Sequence, residues 1–171
     1  MSVAVIVLNK SGIGTVAGAG AVCCVLAAPD GVSLLSGGKD CSVMQWRLQN
    51  GERLRQIRMG KVAVSSLACF ASPLQAGVSK GFLLAVGARQ VNVWHLPSAS
   101  TEKDEENDSE SRRLGKFAGH KERTAALCFS PSGRCLVSGG SGEAQLVLWR
   151  MNSISSDLGA LVAGADGKTP S

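Results

Sequence analysis

The sequence contains no tyrosine and only two histidines, His95 and His120, in 171 residues. Its aromatics are four Phe and three Trp. That leaves few side chains for acid–base work, and no catalytic residue is assigned. A Cys nucleophile paired with either His is the remaining enzymatic reading, a Cys-dependent enzyme, but no spacing supports it. The six cysteines (Cys23, Cys24, Cys41, Cys69, Cys128 and Cys135) form no C-x-x-C pair, and with two His no zinc spacing arises. They are expected to be buried, reduced thiols acting as small apolar residues, which points to a cytosolic or nuclear compartment. Gly12-Ile13-Gly14 and Gly18-Ala19-Gly20 make neither a dinucleotide fingerprint nor a Walker A loop, so no cofactor and no small-molecule substrate is expected. Residues 11–29 carry no charge, yet four glycines and the turn-like Pro29-Asp30-Gly31 break them. No basic segment precedes them, so the chain is read as soluble, without membrane association.

Charge is unevenly placed. Net charge is +5, but residues 99–111 hold Glu102, Asp104, Glu105, Glu106, Asp108 and Glu110 against one base, Lys103. This acidic run is a solvated loop or a docking loop for a basic partner, and Thr101-Glu102-Lys103-Asp104 has the pattern of an acidophilic kinase site. The basic remainder is a solubilising surface or a polyanion-binding one.

Glycine is abundant, 21 residues, often in pairs or beside Ser, which suits short strands and tight turns. The three tryptophans set a repeat. Ser42–Trp46, Gln90–Trp94 and Gln145–Trp149 each read as an apolar strand ending in Trp. A Gly-bearing turn precedes each: Ser36-Gly37-Gly38-Lys39-Asp40, Val86-Gly87-Ala88-Arg89 and Ser138-Gly139-Gly140-Ser141-Gly142. Before those come Ser33–Leu35, Phe82–Ala85 and Cys135–Val137, and before them Val22–Ala27, Ser66–Phe70 and Ala125–Phe129. Two of the intervening turns match closely, Ala28-Pro29-Asp30-Gly31 and Ser130-Pro131-Ser132-Gly133. A fourth strand follows Trp46 at Arg53–Ile57, across the Gln49-Asn50-Gly51 turn, and is delayed after Trp94 to Arg113–Phe117. Four antiparallel strands repeated at this period form propeller blades.

Gly119-His120, Phe129-Ser130-Pro131-Ser132-Gly133, Ser138-Gly139-Gly140, Leu148-Trp149 and Asp40 ahead of Trp46 together resemble WD repeats over about residues 20–150. The fold class this implies is all-β: a partial WD-repeat β-propeller of about three four-stranded antiparallel blades. The resemblance assigns structural motif roles to Asp40, Trp46, Trp94, His120 and Trp149. In the family a His, a Ser or Thr, a turn Asp and the Trp form one hydrogen-bonded set. Here the third unit offers Glu143 in place of Asp, the first has Ala17-Gly18 near the His position, and the second has Ala88 where Asp belongs. No complete set is therefore expected, and packing is expected to hold the blades.

The expected organisation is an N-terminal strand and Gly-rich connection over 1–19, three repeats at about 20–60, 61–117 and 118–150, and a disordered tail over 151–171. Insertions between Ala71 and Gly81 and between Pro97 and Arg112 enlarge the second repeat and are expected to leave from one end of the blade. Three blades do not close a ring, which takes about four to eight. The chain is therefore expected to be a fragment, or to gain blades from another chain.

Val64-Ser65-Ser66-Leu67, the Asp-less turn of Leu84 to Trp94, Lys116-Phe117-Ala118-Gly119-His120 and Leu146–Trp149 are similar to the nucleolar WD-repeat subunits of the UtpA group of the small-subunit processome. That similarity implies a non-catalytic scaffold within a pre-ribosomal assembly, nuclear and nucleolar, working in rRNA maturation. Its partners would be other protein subunits, with weak or indirect contact to pre-rRNA. The alternative is an adaptor or substrate receptor in another complex, such as a ubiquitin ligase, with a cytoplasmic location open to it.

Overall fold

The computed structural model describes residues 20–71, 81–99 and 111–151 in full, and the backbone alone of 4–9 and 12–17. The expectations for the acidic run and for the tail beyond Met151 fall outside the described residues. Among the described residues every regular element is a strand. None is a helix long and apolar enough to cross a membrane.

A hairpin opens the chain: β1 (Ala4–Asn9) pairs antiparallel with β2 (Gly12–Ala17). The Gly-rich stretch expected to be a connection thus holds a strand. The β-branched Ile13, Thr15 and Val16 outweigh the glycines between them, since branched side chains favour the pleated backbone.

Three antiparallel sheets follow, each in simple meander order. Blade 1 comprises β3 (Val22–Ala27), β4 (Ser33–Gly38), β5 (Ser42–Arg47) and β6 (Arg53–Arg58). Blade 2 comprises β7 (Ser66–Ala71), β8 (Gly81–Gly87), β9 (Val91–Pro97) and β10 (Arg112–Phe117). Blade 3 comprises β11 (Thr124–Phe129), β12 (Cys135–Gly140) and β13 (Leu146–Arg150), three strands among the described residues. Asn50-Gly51 turns the chain between β5 and β6, with Gly51 at φ 72°, a left-handed backbone that glycine adopts without a Cβ clash. In blade 2, Ala71 pairs with Phe82 and Gly81 with Pro97. The insertions after β7 and β9 therefore leave from the same end of the blade.

Two apolar layers join the blades. Leu35, Val43 and Ile57 of blade 1 meet Phe82, Leu84, Val86 and Leu96 of blade 2, with Val64 from the connection between them. Ala68, Leu83, Ala85, Val91, Val93 and Phe117 of blade 2 meet Phe129, Leu136 and Trp149 of blade 3. Each fully buried Leu or Val contributes about 1.5–3 kcal/mol by leaving water. Close approach requires Gly37, where a Cβ would fall 2.4 Å from Val64 Cγ1. Backbone bonds tie the same seams: the Val64 N–H donates to Gly38 O (3.0 Å) and the Thr124 N–H to Ala88 O (2.8 Å).

One expectation about burial needs correction. All six thiols are free, but none is fully buried, and Cys23 and Cys128 are exposed. Cys23 is the unpaired residue at the β3 bulge, and Cys128 lies on the face of blade 3 turned away from blade 2. Trp46 and Trp149 are buried to 2% exposure, whereas Trp94 is only half-buried.

Candidate interaction surface

The motif residues sit where the blade register puts them. In blade 3, β12 carries Ser138 into the sheet interior and β13 places Trp149 one strand away. The Trp149 indole N–H donates to Ser138 Oγ at 2.9 Å. His120, on the connection before β11, brings Nε2 to 2.8 Å from the same oxygen. The hydroxyl has two acceptor lone pairs, so which partner donates in this second bond is set by the imidazole tautomer; the other ring nitrogen is Nδ1. That atom lies 3.6 Å from Glu143 Oε2. The other oxygen of Glu143 accepts the Glu122 N–H at 2.6 Å. This N–H, aided by Lys121 and His120, holds the Glu143 carboxyl below its ordinary range. Blade 3 therefore brings His, Ser, Trp and an acid together, with hydrogen bonds joining Trp149, Ser138 and His120, while His120 Nδ1 and Glu143 Oε2 face each other at 3.6 Å without a hydrogen bond among the described residues. Its Ser-to-Trp separation is 11 residues against 10 in blade 1, so the turn is one residue longer, and the longer Glu side chain reaches back to the imidazole. Gly140 makes room for it: a Cβ there would lie 2.8 Å from His120 Nδ1.

Blade 1 keeps half of this. The Trp46 indole donates to Ser36 Oγ at 2.8 Å, and Asp40 Oδ1 accepts the Ser42 N–H at 3.2 Å. A cavity lined by Gly20, Ser36, Gly38, Asp40 and Trp46 takes the register position that the His120 ring fills in blade 3. In blade 2, Val86 occupies the serine's register position, and Trp94 Nε1 is buried without a hydrogen-bond partner among the described residues.

One hub is not visible in the sequence motifs. Asp30 reads there only as part of a turn, but its carboxylate accepts the N–H groups of Val32 and Ser33 (3.1 and 2.9 Å), the Ser33 hydroxyl (2.6 Å) and Gln45 Nε2 (3.4 Å). It also accepts the Ala99 N–H at 3.2 Å, linking the turn of blade 1 to the chain leaving β9. The available signal is Ser three residues after an Asp in a turn, a side-chain capping arrangement.

The outer strands carry the exposed charge. Arg53 and Arg58 on β6 and Arg112, Arg113 and Lys116 on β10 are exposed, and neither strand contains an acid. The docking-loop candidates Glu102, Asp104, Glu105, Glu106, Asp108 and Glu110 lie outside the described residues.

Two of the thiols are poorly suited to nucleophilic chemistry. Burial pushes Cys24 up to about 11 and Cys69 up to about 12, with Asp30 adding to the latter. A thiol with so high a pKa is almost wholly protonated near neutrality. Among the described residues no group of His, Cys, Asp and Glu could hold a metal ion.

Residues 11–47 and 111–150 match the family described as WD domain, G-beta repeat. Each match begins on or beside an outer strand, β2 or β10, and runs through the next three strands, or their counterparts, to a tryptophan. The chain is 25% identical over 118 residues to the Homo sapiens protein named U3 small nucleolar RNA-interacting protein 2, and 27% identical over 113 residues to the Mus musculus protein of that name. Each alignment covers 63% of this chain and 21% of the relative, so the chain spans about a fifth of the length of the curated relatives it matches. Both names are consistent with the nucleolar WD-repeat resemblance; neither names the UtpA group. WD repeats are thus found in two stretches of the chain, and its three antiparallel sheets are consistent with a partial WD-repeat propeller, an architecture that serves protein interaction.

Proposed function

We propose that the chain is a scaffold subunit of a nucleolar pre-ribosomal assembly that contributes to rRNA maturation, and that it resides in the nucleolus. The observation that carries this reading is the alignment with two relatives named for interaction with U3 small nucleolar RNA. The acid-free outer strands β6 and β10 support it. Exposed Arg and Lys on neighbouring blades suit a phosphate backbone, which is held by charge without sequence readout. Protein subunits would dock on the remaining rims, and the acidic run 99–111 is assigned to a basic partner among them.

The test is purification of the tagged chain from nuclear extract after ultraviolet crosslinking, with sequencing of the bound RNA. Enrichment of U3 small nucleolar RNA and pre-rRNA is expected. Reversing Arg53, Arg58, Arg113 and Lys116 to Glu should lower RNA recovery while nucleolar proteins still co-purify. For single-stranded RNA the salt slope should fall by about 0.7 for each phosphate no longer neutralised. Recovery of a ubiquitin-ligase core without these RNAs would overturn the reading in favour of an adaptor.

A further inference from the structure

One end of each blade carries the turn between its second and third strands, and the connections to the next blade run along the same end. Backbone bonds tie the two together. At the seam of blades 1 and 2 the Val64 N–H donates to Gly38 O, and at the seam of blades 2 and 3 the Thr124 N–H donates to Ala88 O. Gly38 and Ala88 stand two residues beyond Ser36 and Val86, so the two bonds occupy matching positions. Basic residues recur around them. One residue beyond each acceptor stands Lys39 or Arg89, in the turn. Three residues before each donor stands Lys61 or Lys121, in the connection. All four are exposed, and none forms an ion pair among the described residues. Blade 3 has Ser141 at the matching turn position. Asp40 and Glu143 lie on this rim too, but both are half-buried and bound to backbone: Asp40 accepts the Ser42 N–H and Glu143 the Glu122 N–H.

We propose that this rim docks an acidic protein segment that lies across both seams and sets a carboxylate at each basic pair. Two observations select a peptide rather than a nucleic acid. Glu122 is exposed between Lys121 and Arg123, and its charge opposes a continuous row of phosphates but fits between separated carboxylates. No Phe or Trp stands in 38–41, 59–65, 88–90 or 118–124, and the His120 ring is buried, so the bases of a single strand find no stacking platform. Sheets packed face to face lie about 10 Å apart, and an extended chain rises about 3.3 Å per residue. Acids about three residues apart therefore reach successive pairs.

The acids come from another chain. The acidic run of this one follows Pro97, which pairs with Gly81, whereas the basic rim lies at the other end of the blade, where Gly87 pairs with Val91. The proposal does not rest on the nucleolar reading, which places phosphate on the outer strands.

Fluorescence anisotropy on the full 171-residue chain tests it. The probes are a labelled Glu/Ser peptide long enough to span both seams, its Gln/Ser counterpart, and an oligouridine of similar length. The Glu/Ser peptide should bind, more weakly as salt is raised, and the Gln/Ser peptide should not. Lys39→Glu with Arg89→Glu should weaken Glu/Ser binding at least tenfold, and so should Lys61→Glu with Lys121→Glu. The corresponding Gln variants should lose binding in the same order, with urea midpoints unchanged because the four side chains are exposed. Arg53→Glu with Arg113→Glu makes the same change of charge on β6 and β10 and should alter Glu/Ser binding less than twofold. Failure of the Glu/Ser peptide to bind would overturn the proposal. Equal losses from the rim and outer-strand reversals would do so as well, by reducing the effect to net charge. Rim-dependent binding of oligouridine with no rim dependence for the peptide would assign the surface to RNA and overturn it too.

Discussion

Replacing Ser138 by Ala removes one hydroxyl from a position with no solvent exposure and strips two buried groups of their partner. Trp149 Nε1 loses its acceptor at 2.9 Å, and His120 Nε2 loses the hydroxyl at 2.8 Å. A buried polar group left unsatisfied costs about 1–3 kcal/mol. Two such groups, with some relief from imidazole rotation, give about 2–4 kcal/mol for Ser138→Ala. Ser36→Ala in blade 1 strands only the Trp46 indole and should cost about 1–2 kcal/mol. The assay is urea unfolding followed by tryptophan fluorescence, with both variants at one protein concentration. A double-mutant cycle with Trp149→Phe isolates the indole bond, because Phe keeps the ring packing against Phe117 at 5.4 Å but lacks the N–H. In the Trp149→Phe background, Ser138→Ala should cost about 1 kcal/mol less. If Ser138→Ala costs no more than Ser36→Ala, the hydroxyl does not serve both partners and the blade 3 network is misassigned.

Trp149→Ala should cost about 3–5 kcal/mol and Trp94→Ala distinctly less, since Trp94 is half-buried and its N–H has no partner; urea midpoints of the two variants give the order. Burial lowers the pKa of His95, so its protonation opposes folding: stability should hold above about pH 6.5 and fall as the pH drops below it, a slope that His95→Asn should flatten. Glu143 has a lowered pKa, so its contribution is present above its ordinary 4.5 and is lost only on further acidification through the lowered value, which pH-dependent unfolding of Glu143→Gln resolves. Replacing residues 100–110 with a short Gly/Ser link, which spares the Ala99 N–H bond to Asp30, should leave stability within about 1 kcal/mol by denaturant titration. Val86→Ser should give the Trp94 indole an acceptor, read as a downfield shift of its N–H resonance; an unmoved resonance would refute the register equivalence of Val86 and Ser138.

The blade order was legible because each third strand carries a residue that only one part of the repeat uses. Trp46 and Trp149 stand one residue before the ends of third strands and Trp94 in the middle of one, and the Gly-bearing turns before them fix the second strands. Local chemistry carries those signals: alternation for the strands, and positive φ at Gly31, Gly51, Gly133 and Gly142 in the turns. The networks were less legible because they depend on reach rather than on residue type. Glu143 looks like a departure when matched position by position with Asp40, yet one extra turn residue and one extra methylene together bring its carboxylate to 3.6 Å from the imidazole. Asp30 was hidden for a related reason. A turn needs it only locally, while its bond to Ala99 spans 69 residues and is set by how blade 2 sits against blade 1.

The distribution of networks among the blades follows from how each is covered. Blade 2 lies between two others, and Leu84, Ala85, Val86 and Val93 are fully buried. There a valine in place of the serine adds about 1.5–3 kcal/mol of apolar burial, enough to offset one unpaired indole N–H at about 1–3 kcal/mol. Blade 3 has one free face among the described residues, with Leu146 and Leu148 exposed, so packing alone contributes less to fixing its strands. It is also the blade with the Trp–Ser–His bonds, in which one hydroxyl ties β12 to β13 and to the connection before β11. Directional bonds hold three segments in register where a second packed face is lacking, and the cost of breaking them rises because both the indole and the imidazole are buried. Blade 1, whose β5 is buried on both faces, keeps a two-member Trp–Ser bond and has a cavity lined by Ser36, Asp40 and Trp46. In these three blades polar satisfaction and apolar coverage trade against each other, so the motif departures reflect each blade's position in the row and do not indicate decay of the repeat.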